Sequence, residues 1–218
     1  MTHTLSTTET EVRLEPKETV TSTIIWLHGL GADAHDFVDI VPLLNVPTTR
    51  FIFPNAPVRP ITFNGGYRMR AWYDIKTSVR IDDPDHAGLD ETLHRIHTLL
   101  DAARAVTPNQ PLFLAGFSQG GAVALDAGLR YAHPLAGIIA LSTYLPRENT
   151  LPDTQPHDTP IWMAHGTEDA IIPLTLSTHS RDRLTAYGYT VEFHTYEMAH
   201  QVCPAEIQDL QTFLLKPQ

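Results

Sequence analysis

The sequence predicts a single α/β domain with a mostly parallel central sheet and helices on both faces. Short β-branched or aromatic runs alternate with longer helical patterns, which is the order expected of βαβ units. Several of these runs are apolar throughout, as is typical of strands that are covered on both faces. The chain has 218 residues, which suffices for about one such domain with its own core.

Six runs are predicted to be strands because turn-forming residues bound them. They cover residues 21–27, 50–54, 111–117, 137–142, 159–165 and 190–196. A weaker run lies near residues 11–15. We expect the polar segment 1–20 to be partly disordered with a possible edge strand, and residues 21–218 to form the domain.

The clearest predicted helix covers about residues 85–106. Its apolar positions step by 4, 3, 4 and 3 residues, which places one stripe against the sheet; they are Leu89, Leu93, Ile96, Leu100 and Ala103. Further helices are predicted at residues 34–44, 119–131, 173–187 and 204–214. The Pro-rich stretch 146–160 is predicted to be a loop.

Composition excludes several classes of function. Lys plus Arg is 15 against 25 for Asp plus Glu, a net charge of −10, which disfavours nucleic acid and anionic lipid as partners. The single cysteine, Cys203, cannot form an intramolecular disulfide or a Cys-rich zinc site. Apolar runs such as 24–27 are far shorter than the roughly 18 residues that span a bilayer. The polar N-terminus has no apolar signal region, so we expect a cytoplasmic protein without stable membrane insertion.

A G-x-S-x-G motif, residues 116–120, lies between a predicted strand and a helix of small residues. That context is typical of a nucleophile elbow, in which a sharp turn projects the serine hydroxyl above the sheet. The glycines on either side allow close approach of the backbone. Ser118 is therefore the candidate nucleophile, although a Gly-rich turn with an N-cap serine is the alternative.

A serine nucleophile needs a base and an acid, which for this motif follow it in the chain as acid and then histidine. Among the 12 histidines, His200 alone follows the last predicted strand in a loop. Either Glu168 or Asp169, after the strand 159–165, could accept the proton of its ring nitrogen. Spacing does not separate these two carboxylates.

The oxyanion of an acyl-transfer intermediate requires amide donors. The residue after the nucleophile, Gln119, should supply one backbone N–H. The second should come from the glycine-containing turn 28–31 after an earlier strand, where we favour the N–H of Leu30.

Taken together, these motifs resemble the acyl-protein thioesterase/carboxylesterase (phospholipase–carboxylesterase) family of small α/β-hydrolases. The resemblance runs in order from about residue 21 to residue 214. The matching motifs are WLHGLG (26–31), FPNAP (53–57), NGG (64–66), MRAWYD (69–74), GFSQGG (116–121), HGTED (165–169) and His200 followed by Cys203 and Pro204.

The resemblance implies a single-domain α/β-hydrolase without a cap domain and a triad of Ser118, Asp169 and His200, with Asp169 rather than Glu168 as the acid. It also implies oxyanion amides from Leu30 and Gln119. The stretch 57–74 looks like the family's loop beside the acyl pocket, so Leu30 and Trp72 are expected to contact substrate. A structural Ω-loop pinned by buried aromatic side chains is the alternative.

One position departs from the family pattern. The family usually has glycine before the catalytic histidine, and this chain has Ala199. If that position requires a positive φ, alanine adds strain there.

We therefore predict a serine carboxylesterase that cleaves short- to medium-chain acyl esters through an acyl-enzyme. The alternative is an acyl-protein thioesterase or lysophospholipase acting on long acyl chains. A peptidase and a non-catalytic α/β-hydrolase binding module are hypotheses from other classes. We expect no cofactor and no metal, since no H-E-x-x-H pattern occurs and the pair His94 and His97 lies on the polar face of a helix. The resemblance makes a homodimer possible.

Overall fold

The computed structural model describes residues 2–77, 83–151 and 158–216. Ten strands are present in this part of the chain. They are β1 (His3–Thr7), β2 (Glu11–Pro16), β3 (Ser22–Leu27), β4 (Thr49–Pro54), β5 (Val58–Ile61), β6 (Tyr67–Arg70), β7 (Leu112–Phe117), β8 (Gly137–Leu141), β9 (Ile161–Gly166) and β10 (Val191–Tyr196).

Eight of these strands form one sheet in the order β1-β2-β4-β3-β7-β8-β9-β10. The β1–β2 and β2–β4 pairs are antiparallel, and every pair from β4 to β10 is parallel. The predicted mostly parallel sheet is thus confirmed. Strands β5 and β6, which the sequence did not predict, form a separate antiparallel ribbon.

Helices cover both faces of the sheet. They are α1 (Val41–Leu44), α2 (His86–Val106), α3 (Gln119–Leu129), α4 (Leu174–Ala186) and α5 (Pro204–Leu214). Side chains of α2, α3 and α4 share one core cluster with Ile25 and Leu27 of β3, whereas α1 and α5 pack with Ile24 and Trp26. Because successive strand residues face opposite clusters, strands β7 and β8 in the middle of the sheet are apolar at every position.

The N-terminal segment is more regular than expected, because β1 and β2 extend the same sheet. Val12 and Leu14 of β2 are buried in the core, and β2 pairs with β1 on one side and β4 on the other, so β1 and not β2 is the edge strand. Strand β1 has mostly exposed side chains and pairs with β2 from residue 3 to residue 7. Backbone pairing rather than burial holds β1, so its polar sequence carried no strand pattern.

The helix predicted at residues 34–44 is much shorter in the structure. A 3₁₀ turn (Val38–Ile40) leads into α1, which has Pro42 in its first turn and a left-handed residue, Asn45, at its end. Proline has no N–H to donate, so it favours the start of a helix and not its interior. In the predicted loop 146–160, Glu148–Thr150 forms a 3₁₀ turn, and residues 152–157 lie outside the described residues.

The N-terminus of α5 contains a buried carboxyl group. Glu206 is fully buried, and its Oε2 accepts a hydrogen bond from the N–H of Cys203 at 3.3 Å. Its Oε1 has no partner among the described residues. Burial raises the pKa of Glu206 to about 8, because the charged form would lose its hydration.

This carboxyl makes stability depend on pH. The unfolded chain releases the Glu206 proton near its ordinary pKa of 4.5, whereas the folded chain retains it to about 8. Its contribution is therefore fully present below pH 4.5 and is lost as pH rises through 8. We expect Glu206→Gln, which can still accept from Cys203, to raise Tm by several degrees more at pH 8.5 than at pH 5. Thermal unfolding at both pH values measures this.

The exposed Glu197 provides the matched control. Glu197→Gln should shift Tm by less than about 1 °C at both pH values, as surface substitutions usually do. A Glu206→Gln variant with the same shift at pH 5 and at pH 8.5 would contradict the protonated carboxyl.

Candidate active site

Ser118 lies in a strained turn between β7 and α3. Its φ of 55° and ψ of −118° are conformations that residues other than glycine rarely adopt. A Cβ on Gly116 would lie 2.2 Å from the carbonyl oxygen of Gly120, and a Cβ on Gly120 would lie 2.3 Å from that of Leu27. Both glycines of the motif are therefore required by close backbone approach, as the nucleophile-elbow interpretation predicts.

The structure brings the three candidate catalytic side chains into one hydrogen-bonded chain. The Ser118 hydroxyl donates to His200 Nε2 at 2.8 Å, and His200 Nδ1 donates to Asp169 Oδ2 at 2.7 Å. The three residues follow β7, β10 and β9 at the carboxyl edge of the sheet. Parallel strands end at a common edge, and residues distant in the chain meet there.

The environments of the two candidate carboxylates separate them. Asp169 is buried, and its Oδ1 accepts the backbone N–H groups of Ile171 and Ile172 at 2.9 and 2.8 Å. Glu168 is exposed, and its backbone N–H donates to the Met198 carbonyl. Asp169 is thus the carboxylate that is oriented toward the imidazole.

A second buried histidine, His165, lies beside this carboxylate. Its Nε2 is 2.8 Å from the Ile172 carbonyl, to which it donates, and 3.4 Å from Asp169 Oδ2. Burial lowers the pKa of His165, which favours the neutral ring. The expected order of acid and then histidine excludes His165 as the base, because His165 precedes both candidate carboxylates in the chain.

The loop before His200 does not require glycine. Among the described residues, the non-glycine residues with positive φ are Asn45, Ser118 and Ser142, so the strain considered for Ala199 is not present. The close approach occurs instead at Gly166, where a Cβ would lie 2.2 Å from the Met198 carbonyl oxygen and 2.4 Å from that of Ala199.

The residues that carry the two predicted amide donors, Leu30 and Gln119, lie in turns close to Ser118. Gln119 is the first residue of α3, and N–H groups in the first turn of a helix have no partner within the helix. Leu30 is in the turn after β3. The adjacent Gly29 packs against the elbow, since a Cβ there would lie 3.5 Å from Ser118 Cβ.

Trp72 occupies a different position from the one expected. The side chain has no exposed surface, so it offers none to a substrate. Its indole N–H donates to the His28 carbonyl at 2.8 Å, and its backbone N–H donates to Gln119 Oε1 at 2.9 Å. Trp72 therefore does not contact substrate as expected; it contacts the residues next to the two candidate amides.

Two further observations concern membrane-spanning helices and metal sites. No helix in the described ranges is both long and apolar enough to cross a membrane. Over the same part of the chain, no three His, Cys, Asp or Glu side chains lie close enough together to hold a metal ion.

A buried aspartate, a histidine and a strained serine, joined by hydrogen bonds at the carboxyl edge of a mostly parallel sheet, define a serine hydrolase of the α/β-hydrolase class. The chain belongs to the Phospholipase/Carboxylesterase family, whose model matches residues 8–217. The family resemblance predicted from the motifs is confirmed.

Several relatives cover nearly the whole chain. Acyl-protein thioesterase 1 of Cryptococcus neoformans is 32% identical over 94% of this chain and 96% of its own length. The Neurospora crassa protein of the same name is 36% identical over 89% and 86%. The crystal structure of Zea mays acyl-protein thioesterase 2 has a TM-score of 0.85 at 28% identity, covering 94% of this chain and 96% of that one.

The hydrogen-bonded chain predicts a large effect of Asp169→Asn. The asparagine oxygen can keep the amide bonds from Ile171 and Ile172, but its NH₂ group then faces His200 Nδ1 and favours the wrong tautomer. We expect kcat to fall by about 10³- to 10⁴-fold with the fold retained. Steady-state hydrolysis of p-nitrophenyl butyrate measures kcat, and circular dichroism checks the fold.

The neighbouring carboxylate supplies the control. Glu168→Gln changes an exposed side chain and should leave kcat within about twofold, as expected of a surface site. A larger loss of kcat in Glu168→Gln than in Asp169→Asn would overturn the assignment of the acid.

Proposed function

We propose that this chain is an acyl-protein thioesterase that removes long acyl groups from cysteine side chains of proteins. The observation that carries the proposal is the hydrogen-bonded chain from Ser118 through His200 to Asp169, at 2.8 and 2.7 Å. The substrate class is supported by relatives that bear this name. They favour the long-chain alternative over our first prediction, a carboxylesterase for short or medium chains.

Acylation begins when His200 Nε2 takes the proton of the Ser118 hydroxyl. The serine oxygen attacks the thioester carbonyl carbon, and Asp169 stabilises the imidazolium that forms. As the tetrahedral intermediate collapses, the carbon–sulfur bond breaks and the leaving thiolate receives the proton from His200. The acyl group is then bonded to Ser118 as an ester.

Deacylation repeats these steps with water as the nucleophile. His200 removes a proton from water, whose oxygen attacks the acyl-enzyme carbonyl. The second tetrahedral intermediate expels the serine oxygen, which regains its proton from His200. The products are a free fatty acid, a free thiol and the regenerated enzyme.

Both tetrahedral intermediates carry a negative oxygen that needs hydrogen-bond donors. In this mechanism the backbone N–H groups of Leu30 and Gln119 donate to it. Gln119 starts α3, so the positive end of the helix dipole adds to this stabilisation. Leu30 also offers a partly buried apolar side chain near the acyl group.

The β5–β6 ribbon lies beside the Leu30 turn and carries exposed apolar side chains. The ribbon borders the Leu30 turn, since Gly31 N–H donates to the Arg70 carbonyl at 2.9 Å. Val58, Phe63 and Tyr67, on the ribbon and its connecting turn, are each at least half exposed.

Acyl-chain profiling tests the substrate class. Because an extended apolar contact gains affinity with each buried CH₂, kcat/KM for a palmitoyl-cysteine peptide should exceed that for a butyryl-cysteine peptide by about tenfold or more. Release of thiol, followed with a disulfide reagent, measures both rates. Ser118→Ala should lower kcat by at least about 10³-fold.

The other outcomes identify the competing functions. A maximum of kcat/KM at four to eight carbons would support the carboxylesterase instead. A folded wild-type protein with no Ser118-dependent hydrolysis of esters, thioesters or peptides would support the binding module.

A further inference from the structure

Residues 70–73 connect the β5–β6 ribbon to the core and pass between the Leu30 turn and the start of α3. We propose that this segment, named here the 70–73 clamp, sets the spacing of the two oxyanion amides. Trp72 and the Gln119 side chain are its positioning residues. The inference rests on the proposed function in one respect, namely that Leu30 and Gln119 supply those amides.

The clamp holds the Leu30 turn at both of its ends. The Gly31 N–H donates to the Arg70 carbonyl at 2.9 Å, and the Trp72 indole N–H donates to the His28 carbonyl at 2.8 Å. Leu30 lies between these two attachments. The direction of its amide therefore depends on where Arg70 and Trp72 lie.

The same segment holds the residue that carries the second amide. The Gln119 carboxamide accepts the Trp72 N–H at 2.9 Å and donates to the Tyr73 carbonyl at 2.8 Å. Gln119 is only 1% exposed, so water does not readily replace these bonds. The two candidate donors, 89 positions apart in the sequence, are thus attached to one four-residue segment.

Contacts with α2 and with His28 hold the clamp in place. The Trp72 carbonyl accepts a hydrogen bond from the Thr92 hydroxyl on α2, and the Trp72 ring lies 5.2 Å from that of His28. His28 Nε2 in turn accepts the Ala56 N–H at 3.1 Å. Preorganised donors matter because catalysis is sensitive to their position, and a displacement of about 1 Å can cost about 10²-fold in rate.

The test compares two Trp→Phe substitutions. Trp72→Phe keeps an aromatic ring and removes the indole hydrogen bond to His28. Trp162→Phe is the matched control, since Trp162 is also fully buried and its indole N–H has no partner among the described residues. With p-nitrophenyl butyrate, we expect kcat to fall about 10- to 100-fold in Trp72→Phe with KM within about twofold, and to stay within about twofold in Trp162→Phe.

A second measurement separates positioning from general loss of structure. A trifluoromethyl ketone inhibitor forms an oxyanion on Ser118, so its affinity for Trp72→Phe should fall in proportion to kcat/KM. Gln119→Met keeps the backbone N–H and removes the carboxamide, and it should show the same pattern. Because both residues act through one clamp, the double variant should lose less than the product of the two single losses.

Equal kcat for Trp72→Phe and Trp162→Phe would overturn the clamp, and so would a rise in KM alone, which would indicate substrate contact. If either occurs while Ser118→Ala abolishes hydrolysis, the clamp fails and the proposed function stands. If the ester reaction depends on Ser118 and Trp72 but palmitoyl thioesters are poor substrates, the clamp stands and the proposed substrate class fails.

Discussion

The turn at Ser118 places a non-glycine residue at a φ of 55°, and the neighbouring backbone holds it there. Such a conformation costs about 1–3 kcal/mol and persists only where the surroundings enforce it. Ser118 N–H donates to the Leu141 carbonyl at 2.9 Å, and the Ser118 carbonyl accepts the Thr143 hydroxyl at 2.7 Å. Since Leu141 ends β8, the geometry of the candidate nucleophile depends on a correctly paired sheet.

The positions of Asp169 and His200 depend in the same way on the pairing of β9 and β10. The β9–β10 register is parallel over six residue pairs, which brings the loops after these strands side by side. The Thr167 and Glu168 N–H groups then donate to the Tyr196 and Met198 carbonyls. These bonds join the aspartate loop to the histidine loop, so the spacing of Asp169 and His200 follows from the same sheet.

Local pattern predicted the elements that are stabilised by local or repetitive features, and missed those that depend on distant contacts. The six predicted strands were recognisable because turn-forming residues bound them and because strands in the middle of the sheet, such as β7 and β8, are apolar throughout. Ser118 was recognisable because its turn requires glycines at fixed positions. Glu168 and Asp169 were not separable from the residues alone, because only the fold buries one and exposes the other. Trp72 was misassigned for the same reason. An aromatic side chain beside a site can pack beneath it or line it, and its sequence neighbours do not distinguish the two.

Three buried titratable side chains, His28, His165 and Glu206, make stability depend on pH and lie close to the candidate active site. Burial lowers the pKa of His28 and of His165. Below about pH 6.5 the unfolded chain therefore binds more protons than the folded chain, and stability decreases as the pH is lowered. Glu206, with its raised pKa, has the opposite effect, since its contribution to stability decreases as pH rises from 4.5 to about 8. His28 precedes the Leu30 turn, His165 lies beside Asp169, and Glu206 caps the helix that follows His200. Ionisation of these three groups therefore acts on segments that hold the candidate catalytic loops.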